Sequence, residues 1–134
     1  TSGAWIHPKR HYCPDGPLSS VILLLALEQK RCSMSEFVSD VPIFPVTRAK
    51  FDCPNQKKTH VMTKISACLS TMPNVEEVDT MDGTRVSFAN GSWVLVRPSG
   101  TEPTIRVTIE AEDDSSLAGL SSRVEGIVKQ AIKA

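Results

Sequence analysis

VLVRPSGTEPTIRVTIEA, residues 94–111, holds two strand-like runs on either side of a turn. Ile105, Val107 and Ile109 alternate with Arg106, Thr108 and Glu110, the period of a strand with one buried and one polar face. Residues 92–97 supply the strand that precedes the turn. Pro98 fixes φ and resists strand continuation, and Gly100 admits positive φ and the close approach of another group. Successive backbone N–H groups in such a turn converge into an anion-binding nest. Ser99 and Thr101 add hydroxyl donors. Arg97 leaves one strand and Arg106 belongs to the next, so both guanidinium groups reach the turn, and guanidinium suits bidentate contact with phosphate. Phosphate is the target this chemistry fits. Glu102 is the odd member: it either meets a sugar hydroxyl or holds an arginine or the loop itself in place. The competing reading is a plain hairpin loop with solvated arginines, because Ser, Gly, Thr and Pro are common turn residues.

Working outward, Arg85–Ala89 reads as a strand joined to Ser92–Arg97 by Asn90-Gly91, a two-residue hairpin signal of the primed type. Asp82-Gly83 marks another turn, with a short strand at 75–79 before it. From Asn55 to Met72 an amphipathic helix places Val61, Ile65, Cys68, Leu69 and Met72 on one face. Residues 43–53 hold a further strand. Asp113 and the residues after it cap a last helix, whose core face is Leu117, Leu120, Val124, Ile127, Val128 and Ala131. The order after residue 42 is strand, helix, several hairpin-linked strands, helix. That is an α+β domain: a mostly antiparallel sheet with two helices packed on it.

Upstream, Asp15-Gly16-Pro17 is a helix start, and the helix to Lys30 is apolar nearly all round, so it calls for cover on several sides. Ser33-Met34-Ser35-Glu36 fits a capping box, with a short helix to Asp40. Pro42 and Pro45 stop helix and place a boundary near residue 42.

The chain has 134 residues, with fifteen acidic and fifteen basic side chains that cancel, which argues against a nucleic-acid or membrane-surface binder. Aromatic residues make up 5%, thin for base stacking. The apolar run Val21–Leu27 is too short to cross a bilayer, and the four cysteines form no CxxC, which points to reduced thiols in a cytoplasmic protein. The first residue is Thr1, and a piece of a longer polypeptide is expected.

RPSGTEP, with Arg106 after two intervening residues, then an alternating strand and a final helix, resembles the C-terminal domain signature of the α-D-phosphohexomutases, the family of phosphoglucosamine mutase, phosphomannomutase and phosphoglucomutase. Asp15-Gly16 opening an apolar helix, a second short helix and a Pro-rich crossing are similar to the end of that family's third domain. The resemblance implies that residues 1–42 are the end of the third, sugar-binding domain with a linker. Residues 43–134 are then the C-terminal substrate-phosphate-binding domain, with a fold like the TATA-binding protein. It implies a phosphate grip by Arg97, Ser99, Gly100, Thr101 and Arg106. The arginines neutralise charge, Ser99 and Thr101 donate hydroxyls, and Gly100 gives a backbone N–H. Ser2-Gly3 is similar to the tail of the sugar-binding loop, which makes Ser2 a candidate sugar contact. The parent enzyme moves a phosphoryl group between the 1- and 6-positions of a hexose through a bisphosphorylated intermediate. It uses a phosphoserine and Mg²⁺ held by an Asp-rich loop. Neither motif is present here, so the chain alone is expected to be inactive and to hold no metal. Its expected partners are a hexose phosphate or bisphosphate and the other domains of the same polypeptide. The rival is a free-standing, non-enzymatic anion- or partner-binding module.

Three smaller signals remain. His7, His11 and Cys13 have an H-x₃-H-x-C spacing, but Pro8 and Pro14 oppose the regular helix that would converge them on zinc. Lys57-Lys58 and Lys129 with Lys133 read as solvated helix faces. Cys68 reads as core rather than nucleophile, with no base at a recognisable spacing.

Overall fold

β-Branched residues recurring at every second position organise the second half of the chain. In the computed structural model, which describes residues 4–134, Val46–Asp52 (β1), Val75–Asp79 (β2), Thr84–Phe88 (β3), Trp93–Pro98 (β4) and Thr104–Glu110 (β5) form one five-stranded sheet. Every pairing is antiparallel and the order is β1-β5-β4-β3-β2. β1 and β2 lie at opposite edges, so the helix that links them in sequence crosses the sheet. That helix is α3 (Lys58–Ser70), entered through a 3₁₀ turn at Asn55–Lys57. α4 (Asp114–Lys133) follows β5 and covers the same face. Val86, Val94, Val96, Ile105, Val107 and Ile109 meet Val61, Ile65 and Leu69 of α3 and Val124 and Val128 of α4 in one buried cluster. Asp113 caps α4, its carboxylate accepting from the Ser116 amide at 2.7 Å.

The opposite face of the sheet is polar and half-exposed. Antiparallel register puts Arg97 directly across from Arg106, and Arg106 across from Lys50. Farther along, Arg85 lies over the Trp93 ring at 5.2 Å, and Trp93 Nε1 donates to Glu110 at 2.9 Å.

The chain divides into two compact units, Thr1–Ile43 and Phe44–Ala134. In the first, α1 (Gly16–Lys30) is capped by Asp15 and ends at Arg31, in the left-handed region with φ 52°. α2 (Met34–Val38) starts with the full Ser33/Glu36 capping box. α1 buries no residue: Val21, Leu24 and Leu25 are 54%, 65% and 55% exposed.

Two local expectations are corrected. Asn90-Gly91 is not a primed two-residue turn, because Asn90 does not have positive φ and Gly91, at 81°, does. The Gly91 amide donates to the Phe88 carbonyl at 2.9 Å and the Phe88 amide to the Ser92 carbonyl at 2.9 Å. This is a type I turn followed by a left-handed glycine, the three-residue hairpin with a bulge. Cys68 is exposed, whereas Cys53 is buried. At about 100° per residue the buried stripe of α3 runs from Val61 through Ile65 to Leu69, and Cys68 falls about 60° to one side of Ile65. We expect Ile65→Ala to cost about 2–5 kcal/mol in denaturant unfolding, and Cys68→Ser to stay within about 0.5 kcal/mol of the parent.

Candidate functional site

The β4–β5 turn stands on charged residues held in register by the sheet. Arg97 of β4, Arg106 of β5 and Lys50 of β1 form one row across three strands on the face away from the helices. Like charges directly opposed across strands are destabilising, and two carboxylates answer them. Glu102 accepts from Arg106 Nη2 at 2.7 Å and from Lys50 Nζ at 3.3 Å. Asp82, in the β2–β3 turn, accepts from Arg97 Nη1 at 3.1 Å. The Arg106 hydrogen bond first, and the Lys50 hydrogen bond next, hold the Glu102 carboxyl below its ordinary value. Of the roles open to Glu102, it takes that of holding an arginine.

The backbone of the turn is partly engaged. The Ser99 amide donates to the Thr104 carbonyl at 2.9 Å and the Thr104 amide to the Glu102 carbonyl at 2.8 Å. The Glu102 amide donates to Ser99 Oγ at 3.2 Å. The amides of Gly100 and Thr101 donate to no group among the described residues. Both residues are exposed, and a Cβ at Gly100 would meet nothing within 4 Å.

The structure therefore brings together Arg97, Gly100, Thr101 and Arg106 and gives Ser99 a different geometry. Ser99 is 7% exposed, and its oxygen serves the turn itself. Ser2 lies outside the described residues. Gly100 does not take the positive φ expected of it. The glycine under steric constraint is Gly83, at φ 88° in the β2–β3 turn: a Cβ there would lie 2.3 Å from the Val96 carbonyl oxygen and 2.6 Å from Arg97 Cβ. The turn backbone thus packs flush against the strand that carries Arg97.

Lys58 is the residue that sequence reasoning missed. It is not a solvated side chain: its Nζ donates to the Ser99 and Glu102 carbonyls, each at 2.6 Å. One ammonium group thereby ties both ends of the turn to the first residue of α3. The helical period held a signal for this, since Lys58, Val61, Ile65 and Leu69 share one face. A groove of about 890 Å³ runs beside the turn, lined by Asn55, Lys58, Thr59, Met62, Gly83 and Ser99 among others. The H-x₃-H-x-C residues do not converge on a metal-like centre. His7 Nε2 meets Ser19 Oγ, His11 Nε2 meets Asp15, and among the described residues no group of three His, Cys, Asp or Glu is placed to hold an ion.

Residues 49–127 match the family model described as phosphoglucomutase/phosphomannomutase, C-terminal domain. A probable phosphoglucosamine mutase from Methanopyrus kandleri is 40% identical over 132 residues, covering 98% of this chain and 28% of that protein. A probable phosphoglucosamine mutase from Methanothermobacter thermautotrophicus is also 40% identical over 132 residues, with 98% and 29% covered. The crystal structure of a phosphoglucomutase/phosphomannomutase family protein from Burkholderia thailandensis superposes with a TM-score of 0.75 at 25% identity, over 97% of this chain and 27% of that one. The chain thus spans under a third of the length of these relatives.

Lys58→Met removes both carbonyl anchors while keeping the aliphatic stem. Hydrogen exchange at the Ser99 and Thr104 amides is expected to rise about tenfold, a local loss of about 1.4 kcal/mol, with central sheet amides unchanged.

Proposed function

Because the chain belongs to the phosphoglucomutase/phosphomannomutase C-terminal domain family, we propose that its β4–β5 turn grips the phosphate group of a hexose phosphate without covalent chemistry. The observation that carries this reading is the register pair Arg97–Arg106, set on one face beside the two unengaged amides of Gly100 and Thr101. Two guanidinium groups neutralise a dianion, and the two unengaged N–H groups with the Thr101 hydroxyl supply further donors. Ser99 shapes the turn, and its hydroxyl proton remains available for donation.

Glu102 and Asp82 occupy the arginines until a phosphate arrives. Both pairs lie at the surface, where ion pairs contribute only about 0–1 kcal/mol, so exchanging them for a dianion costs little. Charge-assisted bonds to the phosphate contribute roughly 1.5–3 kcal/mol each, offset in part by ordering the turn. For this chain alone the balance corresponds to about millimolar affinity, near −4 kcal/mol.

The longer polypeptide is then an intramolecular phosphotransferase that shifts a phosphoryl group between the 1- and 6-positions of a hexose through a bisphosphate. A grip that recognises phosphate itself suits such a reaction, since the intermediate presents first one ester and then the other. Mg²⁺ and the phosphorylated serine belong in this reading to other domains of that polypeptide. The residues described here do not fit a metal site, and no step runs through one. The relatives' names favour glucosamine phosphate as the first substrate to test. Among the described residues no helix is long and apolar enough to cross a membrane; a cytoplasmic location is part of the proposal.

Titrating the chain with glucosamine 6-phosphate should shift the amide resonances of Ser99, Gly100, Thr101 and Arg106. Shifts confined to Lys57 or Lys129 would overturn the assignment. In the full-length enzyme, Arg97→Ala and Arg106→Ala should each lower kcat/KM by about 10- to 100-fold with an unchanged circular dichroism spectrum. Parental kinetics in both variants would also exclude it.

A further inference from the structure

The segment between His7 and Ser19 holds chemistry that phosphate binding does not use. Asp15 caps α1, and its Oδ1 accepts from the Leu18 amide at 2.8 Å. The same carboxylate accepts from His11 Nε2 through Oδ2 at 3.0 Å. With both oxygens engaged, the helix start fixes the rotation of the carboxylate. The Leu18 amide first, and His11 next, keep its carboxyl below the usual value, so it is an anion at neutral pH. A carboxylate on Nε2 places the neutral imidazole's proton there and leaves Nδ1 as the acceptor. Cys13 Sγ lies 3.1 Å from that Nδ1.

The backbone holds the three residues in place. The amides of Arg10 and His11 both donate to the His7 carbonyl, at 2.8 and 3.1 Å, which closes the turn before Cys13. Ile6 and Pro14 form an antiparallel bridge, and the Asp15 amide donates to the Trp5 carbonyl at 3.3 Å. Thiol, imidazole and carboxylate thus stand in the order nucleophile, base and orienting group. Cys13 is exposed, and a cavity of about 420 Å³ is lined by the next residues in the chain, Pro14 and Asp15, with Trp5 and Ser19. A metal is the weaker occupant. Asp15 binds the far side of the ring, so only Cys13 and His11 remain as ligands, short of the three or four that zinc needs.

We propose that Cys13, His11 and Asp15 form a nucleophilic thiol site that exchanges with low-molecular-weight disulfides, making Cys13 a position of reversible mixed-disulfide formation. The Cys13 thiol proton passes to His11 Nδ1, and the imidazolium is stabilised by Asp15 across the ring. The sulfur attacks one sulfur of the small disulfide. The new S–S bond forms as the old one breaks, and the departing thiolate takes the proton back from His11. The disulfide is the oxidant, one small thiol is released, and excess small thiol reverses the step. Cys68 is a control within the same chain: it is exposed, and its thiol has no hydrogen-bond partner among the described residues.

The test is incubation of the purified protein with glutathione disulfide at pH 7, with adduct formation at each cysteine followed by peptide mass spectrometry. Cys13 is expected to react at least about tenfold faster than Cys68. His11→Gln should bring it to within about threefold of Cys68. Asp15→Asn keeps a helix-capping residue but removes the charge, and should slow Cys13 by about three- to tenfold with the helical circular dichroism signal retained. Equal rates at Cys13 and Cys68 in the parent would overturn the proposal. So would a Cys13 rate unchanged by either substitution.

Discussion

Two arginines facing each other across adjacent strands are a repulsion that the rest of the domain must accommodate. The register of β4 and β5 allows no escape, because shifting either strand by one residue would turn its buried face toward solvent. Ile105, Val107 and Ile109 on one side, with Val94 and Val96 opposite them, lock that register from the core. The charges are therefore imposed by apolar packing on the other face of the same strands. Glu102 and Asp82 relieve them from two turns that are distant in sequence. Lys58 then secures the backbone of the nearer turn to α3.

This arrangement lets a row of like charges sit in a folded sheet. In the proposed grip the two turn carboxylates are placeholders: they satisfy guanidinium donors at low energetic cost and would give way to a more highly charged oxyanion. The Gly100 and Thr101 amides have no such placeholder among the described residues. The arginines ride on strands, whereas their internal counterions ride on loops.

Much of this was legible in the residues. Alternation in 105–110, the caps at Asp15, Ser33 and Asp113, and the helical stripe of α3 each follow from one local period, and each element exists in the structure. The misses arise where a local signal has two solutions and tertiary contact chooses between them. Asn-Gly serves a primed turn or a bulged one, and the Ser92 carbonyl selected the bulge. Lys58 has the charge of a surface residue and the phase of a buried one, and only the fold shows that carbonyls wait at the end of that stripe. Gly100 looked like the strained glycine because it sits in the motif, yet the close approach is at Gly83, fourteen residues before Arg97 in sequence and on another turn. Cys13 and His11 carried a spacing that suggested a metal, and the capping carboxylate of Asp15 turned the imidazole into a different kind of partner.

The flush contact at Gly83 ties the β2–β3 turn to strand β4. Hairpin connections at a domain surface ordinarily tolerate insertions, because extra residues loop outward without disturbing the sheet. Here an added residue in the β2–β3 connection would withdraw Asp82 from its guanidinium and lift the backbone that buttresses Arg97. The length of one hairpin is thus constrained by the geometry of its neighbour, and in evolution the two would have to be remodelled jointly.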